Sequence, residues 1–410
     1  MSAFRLIRRG RRTLRRLYTG PLGGYIDRIA AWYDEQGYDR PYAVAALRVV
    51  DRFGRWLDRT GVKLSDIDEA LVDHYILQRL KGLHPCTRVA LGRLLVVLRE
   101  GGAAKPAVII RGPAQILEED FKRYLVNECG LAERTVEHYA DAAHIFLAAL
   151  FGQGRRDPSK WTAAEVLTFI RQHAQARRPA HMQQLCTGLR SFLRYLRFRG
   201  KIHEDLASSI PRIARWRLAT LPKALSREQL ERVLAHCDRH STLGRRNYAV
   251  LLLLARLGLR AHEVRSLTLD DIDWRNGRVT IHGKSRAREE MPLTVEVGRA
   301  LTAYLAHGRP PSTSRAVFVR STPPYTQFVK SGAITSIAAN AIQAAGIDAP
   351  SKGAHVFRHT LATQMLRDGS SLREIGQLLR HRDEDTTRIY AKVDLPHLRS
   401  LALPWPGGAS

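Results

Sequence analysis

The spacing of apolar residues constrains the fold of this chain more than any other feature. From about residue 21 to 210, apolar side chains recur every three and four positions, with little of the β-branched alternation typical of strands. Because this period places one apolar stripe along a helix, the region is predicted to contain helices only. The chain has 410 residues, which is long enough for two or three domains with separate cores.

The predicted helical region contains two related halves. In the second half, Thr162 and Glu165 form a capping box, in which the hydroxyl and the carboxylate satisfy free backbone N–H groups. In the first half, Asp68 is the corresponding cap. An apolar stripe at matching spacing follows each cap, formed by Val166, Phe169 and Ile170 in one half and by Val72, Tyr75 and Ile76 in the other. We predict a tandem pair of helical bundles; chance similarity between two amphipathic bundles is the alternative.

One stretch alone indicates β-structure. The segments Ile272–Trp274 and Val279–Ile281 flank Asn276-Gly277, a strong hairpin signal because both residues tolerate positive φ. After a second loop, Glu289–Leu293 supplies a third strand. The sequence therefore predicts a three-stranded antiparallel sheet, with helices again from about Val295 to a Pro-rich tail.

A linker and a further capping box indicate where the last large domain begins. The stretch from 210 to 222 contains two prolines and three arginines, and Ser226 and Gln229 form the capping box that follows it. The fold class is therefore mainly α with a small antiparallel β-sheet. The predicted order is a basic arm at 1–20, a helical domain at 21–112, a second helical domain at 113–210, a linker at 211–222, a mixed domain at 223–395 and a tail at 396–410.

The charge of the chain indicates a polyanionic partner. Sixty-six Lys and Arg residues face thirty-nine Asp and Glu residues, for a formal net charge of +27. Nucleic acid is the usual partner of such an excess, because each neutralised phosphate releases a condensed counterion. The first twenty residues hold seven arginines and no acid, a pattern that fits either an organelle transit peptide or an arm lying on DNA. The basic character of the remaining chain favours the arm.

The cysteines and the apolar runs argue against a zinc site and a membrane span. The longest apolar run, Tyr248–Leu259, contains Arg256 and is too short to cross a bilayer. A reducing cytoplasm fits four separated cysteines without any C-x-x-C pair. The cysteines are Cys86, Cys129, Cys186 and Cys237.

Six polar residues in the mixed domain carry the candidate chemistry. They are Arg260, Lys284, His355, Arg358, His381 and Tyr390. Each alone has an ordinary explanation, such as a helix-terminal cation, a solvated turn lysine or a core tyrosine. Together they offer two guanidiniums, two imidazoles, an ammonium and a phenol, which suits attack on a phosphodiester, because arginine forks stabilise the added negative charge. Without an accompanying carboxylate cluster, two-metal catalysis is disfavoured, and no metal or cofactor is expected.

Local sequence predicts how Arg260, His355 and Arg358 are oriented. Arg260 follows Leu257-Gly-Leu at a break in an apolar helix, and Glu263, three residues on, is placed to hold its guanidinium. His355 and Arg358 lie at i and i+3, so one helix face presents both to the same anion.

This series resembles the active-site boxes of the tyrosine recombinases, also called the phage integrase family. The matching segments are Leu257-Gly-Leu-Arg260-Ala-His-Glu263, Gly283-Lys284, His355-x-x-Arg358-His359, His381 and Tyr390-Ala-Lys-Val. The resemblance is close over 221–395, and 113–210 is similar to the family's core-binding domain. The segment before 113 is then an arm-type or a second core-binding module. The ending of the chain is similar to recombinases carried by bacterial transposable elements.

The chain departs from the family's pattern at two places. Arg380 stands where members usually have glycine, and Ser285-Arg-Ala-Arg288 replaces a Gly-rich turn. Both departures are interpreted as changes in local DNA contacts rather than in chemistry.

The resemblance implies a site-specific DNA recombinase or integrase that needs neither metal nor ATP. Tyr390 would form a 3′-phosphotyrosyl intermediate. Arg260 and Arg358 would clamp the phosphate, His381 would hydrogen-bond it, His355 would assist proton removal from the phenol, and Lys284 would protonate the leaving oxygen. The implied partners are double-stranded DNA with specific recombination sites and three further copies of the chain in a synaptic tetramer, with related recombinases as alternative members of the tetramer. The implied location is the bacterial cytoplasm, in association with the nucleoid.

Candidate DNA contacts and two alternative functions complete the predictions. Arg190, Arg194 and Arg197 lie beside an apolar stripe of one helix, and Arg286 and Arg288 lie in and after the hairpin loop. One alternative function is a type IB topoisomerase that relaxes supercoils alone. The other is a DNA-binding accessory protein without cutting activity.

Overall fold

The computed structural model describes residues 17–78, 84–106, 112–155, 157–177, 179–213, 223–283, 288–349, 351–381 and 386–393. These residues form helices and one three-stranded antiparallel sheet, which confirms the predicted fold class. The chain packs as two compact units, one made of residues up to 106 together with those from 220 onward, the other of residues 107–219. The predicted domain boundaries stay predictions.

The first bundle is built from four helices that pack around one core. They are α1 (Ile26–Glu35), α2 (Arg40–Thr60), α3 (Glu69–Leu77) and α4 (Thr87–Glu100). The carboxylate of Asp39 caps α2 by accepting from the Tyr42 N–H at 2.9 Å. The predicted cap Asp68 starts α3 in the same way, accepting from the Leu71 N–H at 2.7 Å. Each cap satisfies a backbone donor that has no partner within its helix.

The second bundle forms the unit from 107 to 219. Its helices are α5 (Pro113–Asn127), α6 (Glu133–Gly152), α7 (Ala163–Ala176) and α8 (Pro179–Phe198). The predicted capping box opens α7, where the Thr162 N–H donates to the Glu165 carboxylate at 2.8 Å. Buried Phe121, Phe146 and Phe192 fill the core between the helices, so this bundle has a hydrophobic core of its own.

The sheet consists of the three predicted strands in sequential order. They are β1 (Ile272–Asp273), β2 (Arg278–His282) and β3 (Arg288–Pro292). Gly277 adopts φ 62°, the left-handed conformation that the Asn-Gly turn requires. Val279 pairs with Met291 across the sheet, and both side chains are buried in the core that the sheet shares with the helices.

The helices of the mixed region surround α10, whose side chains are buried on all faces from Ala249 to Ala255. The helices are α9 (Arg227–Ala235), α10 (Thr242–Arg256), α11 (Ala261–Ser266), α12 (Val295–His307), α13 (Gly332–Ala344), α14 (Ala354–Arg367) and α15 (Leu372–Leu378). The predicted box of Ser226 and Gln229 caps α9. Although α10 is strongly apolar, the described ranges include no helix long and apolar enough to cross a membrane.

The prediction of helices throughout the region after Val295 is wrong for 309–331. This segment runs as irregular chain with two isolated antiparallel bridges, Thr268 to Ala316 and Val319 to Gln327. The guanidinium of Arg309 donates to the carbonyl oxygens of Ser314, Ala316 and Val317, and so replaces the hydrogen bonds of a helix. Four prolines in the segment disfavour continuous helix, because proline has no N–H to donate.

Candidate active site

A glycine turn between α10 and α11 positions the first arginine. Gly258 adopts φ 58°, and a Cβ atom there would lie 2.8 Å from Leu379 Cδ2 and 3.0 Å from Leu361 Cδ2. The left-handed backbone therefore favours glycine, and a Cβ atom would also force the ends of these two leucine side chains to shift. The turn ends α10 at Arg256 and makes Arg260 the residue that precedes α11. The sequence motif Leu257-Gly-Leu-Arg260 thus forms the turn that positions Arg260.

Glu263 holds Arg260 as the sequence predicts. The carboxylate accepts from the Arg260 backbone N–H at 2.8 Å and from its guanidinium at 2.8 Å. The Glu263 side chain is fully buried, whereas the Arg260 side chain is 29% exposed. Burial raises the pKa of Glu263, but the Arg380 and Arg260 guanidiniums and the Arg260 N–H outweigh it and hold the pKa below its usual value. Glu263 is therefore ionised, and it fixes a guanidinium that still reaches solvent.

Arg358 is buried where three elements meet. Its guanidinium donates to the carbonyl oxygen of Gly258 in the turn after α10 and to that of Leu379 at the end of α15. Burial, followed by the charges of Arg260 and Arg380, lowers the pKa of Arg358 to about 9. The group stays charged at neutral pH, and backbone carbonyls hold it in one place. Such fixed donors need no reorganisation when charge develops on a substrate.

Tyr390 lies in the same site, inside a short 3₁₀ helix at Arg388–Val393. Its ring is 1% exposed and packs in a small apolar cluster with Ala362, Ile375 and Leu379. Burial raises the pKa of the phenol to about 12, although the charges of Arg358 and Arg260 act to lower it. The structure thus brings the phenol within electrostatic reach of both predicted arginines, which lie far earlier in the sequence.

The phenol contacts His359, a residue that the sequence predictions left out of the site. The Tyr390 hydroxyl lies 2.9 Å from His359 Nδ1. His355, predicted to assist the phenol, is exposed, and its ring centroid lies 6.4 Å from that of His359. Burial, followed by the charges of His355 and Arg358, lowers the pKa of His359 to about 4, so this imidazole is neutral at neutral pH. The sequence signal that could have identified His359 as a site residue was its position directly after Arg358 in the matched motif.

His381 is joined to the tyrosine segment through Thr387, a second residue that the predictions missed. His381 Nδ1 lies 2.8 Å from the Thr387 hydroxyl, and the Thr387 carbonyl accepts from the Tyr390 N–H at 3.0 Å. Burial, followed by the charges of Arg358 and Arg260, lowers the pKa of His381 to about 4. The buried threonine therefore links one imidazole of the site to the turn that carries the phenol.

Lys284 and Arg286 lie outside the described residues, but the base of their hairpin is well defined. His282 Nε2 lies 2.6 Å from the Asp271 carboxylate, which also accepts from the Thr268 N–H at 2.8 Å and its hydroxyl at 2.7 Å. These contacts hold the end of β2, two residues before Lys284.

The remaining predicted DNA contacts differ in their surroundings. Arg190 donates to the carbonyl oxygens of Pro211, at 2.9 Å, and Ile210, and so holds the chain that follows α8. Arg197 is exposed and pairs with Asp205 at 3.4 Å. Arg194 and Arg288 are also exposed. The described geometry therefore gives Arg190 a structural role, while the DNA contacts stay predictions.

Comparisons with known proteins agree with this geometry. The sequence profile of the phage integrase family matches residues 223–397. The putative integrase/recombinase y4rA of Sinorhizobium fredii is 40% identical over 393 residues, which cover 95% of this chain and 96% of that protein. The tyrosine recombinase XerD of Listeria monocytogenes is 29% identical over 296 residues, which cover 70% of this chain and 96% of that protein.

Two solved structures share the fold. The XerH recombinase bound to a palindromic difH substrate has a TM-score of 0.55 at 19% identity, covering 71% of this chain and 84% of that chain. A lambda integrase tetramer bound to a Holliday junction has a TM-score of 0.50 at 13% identity, covering 74% and 90%. From its relatives and its fold together, the chain belongs to the phage integrase family of tyrosine recombinases, enzymes that break and rejoin DNA at specific sites.

Proposed function

We propose that this recombinase cleaves DNA through the Tyr390 oxygen. The phenolate attacks a backbone phosphorus, an O–P bond to tyrosine forms, and the bond to the 5′-oxygen breaks. One strand is left as a 3′-phosphotyrosyl ester and a free 5′-hydroxyl. The observation that carries the proposal is the burial of the phenol against His359, within electrostatic reach of Arg358 and Arg260.

Arg260 and Arg358 then act on the phosphate itself. The transition state places extra negative charge on the two non-bridging oxygens, and guanidiniums held by a carboxylate and by carbonyls are preorganised to meet it. A bound phosphate also adds a negative charge beside Arg358, which backbone carbonyl oxygens alone hold in the free protein. We propose that His381 donates a further hydrogen bond to the same group.

The phenol must lose a proton, and the leaving oxygen must gain one. The contact of 2.9 Å makes His359 the immediate partner of the phenol, with His355 one helical turn earlier on α14. We propose that the proton leaves through this pair of imidazoles. By resemblance, Lys284 protonates the leaving 5′-oxygen. The ester keeps the energy of the broken bond, so a 5′-hydroxyl from a partner strand reverses the step without ATP.

Exchange between two duplexes requires four cleaved strands. We propose that four copies of this chain assemble on two specific DNA sites, as the lambda integrase tetramer does on its junction. No group of three or more His, Cys, Asp or Glu side chains in the described ranges is placed to hold a metal ion. The proposed steps use side chains of the protein and the DNA alone.

The test is covalent capture of DNA by the full chain. Purified protein is incubated with duplexes from the DNA that flanks the gene, in EDTA and without ATP, and adducts are separated in SDS. We expect an adduct from the wild type and none from Tyr390→Phe, with duplex binding unchanged. Tyr325→Phe, which removes a hydroxyl between α12 and α13, is the matched control and keeps the adduct.

Each rival function predicts a different outcome. An adduct formed by Tyr390→Phe would refute the assignment of the nucleophile, and the loss of the wild-type adduct in EDTA would refute the metal-free mechanism. A non-cutting accessory protein would give no wild-type adduct. A topoisomerase would relax supercoils but fail to exchange strands between two marked duplexes.

A further inference from the structure

Arg380 has an unusual backbone for a residue with a side chain. At φ 54° it is the one non-glycine residue of the described chain with positive φ. It follows the C-cap of α15, where the His381 N–H donates to Gly376 at 2.9 Å and the Arg380 N–H donates to Gln377 at 3.0 Å. This pair of hydrogen bonds is a Schellman motif, whose left-handed position usually holds glycine. The left-handed position explains why family members usually have glycine there. This chain has the same turn, but with the side chain of Arg380 in place of glycine.

The Arg380 side chain is buried in the active site. It is 6% exposed, and its Nη2 donates to the Glu263 carboxylate at 2.7 Å. Its Nη1 contacts Met291 Sδ, and its Nε lies 3.9 Å from the Glu289 carboxylate. The side chain therefore faces protein, and the effect of this departure on DNA contacts stays a prediction. One buried cation joins α11, β3 and the end of α15.

The contacts of Arg380 alter the charge balance around Arg260. Both guanidiniums share the single carboxylate of Glu263, so the trio carries one net positive charge instead of the neutral pair that Arg260 and Glu263 would form. The Arg380 carbonyl oxygen also accepts from Arg260 Nη2 at 3.4 Å. Arg380 therefore holds Arg260 both through its backbone and through the carboxylate that they share.

The same side chain connects the site to the hairpin. Glu289 and Met291 lie on β3, directly after the loop that carries Lys284. A glycine at 380 has no atom that could reach this strand.

We propose that Arg380 is a positioning residue for strand cleavage. It shares Glu263 with Arg260, so that Glu263 does not fully neutralise Arg260 and the Arg260 guanidinium can attract the phosphate. It also fixes β3 beside Arg260 and Arg358. This inference rests on the proposed function, since it assigns Arg260 to the phosphate. Arg380 touches no reacting atom. The left-handed backbone of Arg380 is a reason to expect such a role, because a strained conformation at an active site persists only where surrounding contacts stabilise it.

The test compares Arg380→Gly, Arg380→Lys and Arg380→Met with the wild type. The rate of adduct formation is measured in a single turnover at saturating DNA, using the flanking duplexes described above. We expect Arg380→Gly, which suits the turn, to fold and bind DNA normally yet cleave roughly 10- to 100-fold more slowly, a loss of the size seen when the outer partner that orients a metal ligand is removed. Arg380→Lys keeps the charge beside Glu263 and should recover part of the rate.

A double variant separates this role from simple packing. If Arg380 acts through Glu263, the loss caused by Arg380→Met is smaller in a Glu263→Gln background than in the wild type. Arg299→Met, which removes an exposed guanidinium of α12, is the matched control.

Two results overturn the inference alone: wild-type cleavage by Arg380→Gly, or an equal loss from Arg380→Met with and without the Glu263 charge. Absence of any wild-type adduct overturns the proposed function and this inference with it.

Discussion

Burial gives the titratable residues of this site their protonation states. His359 and His381 are surrounded by apolar side chains and by the charges of Arg358 and other cationic groups, and each has a pKa lowered to about 4. A neutral imidazole accepts one hydrogen bond and donates another, whereas a charged one would only donate. The neutral form of His359 is therefore the one that suits the contact with the Tyr390 hydroxyl at 2.9 Å.

These lowered pKa values predict how stability depends on pH. In the unfolded chain both imidazoles take up protons near their ordinary value of about 6.5, while the folded chain resists protonation down to about 4. The unfolded state therefore binds more protons in this range, and stability falls as the pH drops from 6.5 toward 4. We expect His359→Gln to lose less stability over this range than the wild type, as measured by urea unfolding at each pH.

The exposed His307, at the end of α12, supplies the control. His307→Gln shows the effect of removing a histidine outside the site. If the His359→Gln curve differed from that of the wild type no more than the His307→Gln curve does, burial would not be setting the protonation of His359.

The sequence predicted which groups assemble but not which of them touch. Arg260, Arg358, His381 and Tyr390 were predicted to share a site because together they suit phosphate chemistry and because their order and spacing resemble those of the tyrosine recombinases. The contact of Tyr390 with His359 instead of His355 depends on how the 3₁₀ helix packs on α14. Thr387 is set by the same packing. Such choices between neighbours of similar chemistry leave no pattern in spacing.

Local signals were reliable where the interactions themselves are local. The capping boxes at Thr162 and Ser226 and the Asn-Gly turn involve residues within three positions of one another, and all were predicted. The irregular course of 309–331 was missed, although four prolines in the segment disfavour a helix, because the course also depends on a bridge from Ala316 to the distant Thr268. Helical spacing in sequence carries no information about such a distant partner.

The glycine turn after α10 allows a sharp test of packing. Gly258→Ala should lose about 1–2 kcal/mol from its left-handed backbone and about 1–3 kcal/mol more from overlap with Leu379 and Leu361. Gly277 has a similar φ of 62°, but a Cβ added there would meet no neighbouring atom within 4 Å, so Gly277→Ala should lose only the first amount. Urea unfolding measures both free energies.

The comparison also bears on function. Gly258→Ala displaces the carbonyl oxygen that holds Arg358, so its adduct formation should fall along with its stability. Equal destabilisation by the two alanines would mean that Leu379 and Leu361 move aside easily, and that the turn needs glycine for its φ alone.

One chain supplies every described group of the site. Tyr390 is 1% exposed and contacts His359 of its own chain, and Arg358 and Arg260 come from the same compact unit. In some assemblies of identical subunits, a nucleophile reaches into the site of a neighbour. Here the phenol would have to leave an apolar cluster formed with Ala362, Ile375 and Leu379 before it could do so. The arrangement favours cleavage within one subunit, also in the proposed assembly of four subunits on DNA.

Mixing two inactive variants tests this arrangement directly. Arg358→Ala keeps the phenol but lacks an arginine, and Tyr390→Phe keeps both arginines but lacks the nucleophile. If each subunit uses its own tyrosine, an equal mixture on one DNA substrate has no complete site, and we expect no adduct above that of the separate variants. Mixtures of either variant with wild type should retain an adduct, which shows that the inactive chains do not simply block the DNA. Recovery of the adduct in the mixture of the two variants would mean that the phenol leaves His359 and serves the arginines of a neighbouring subunit.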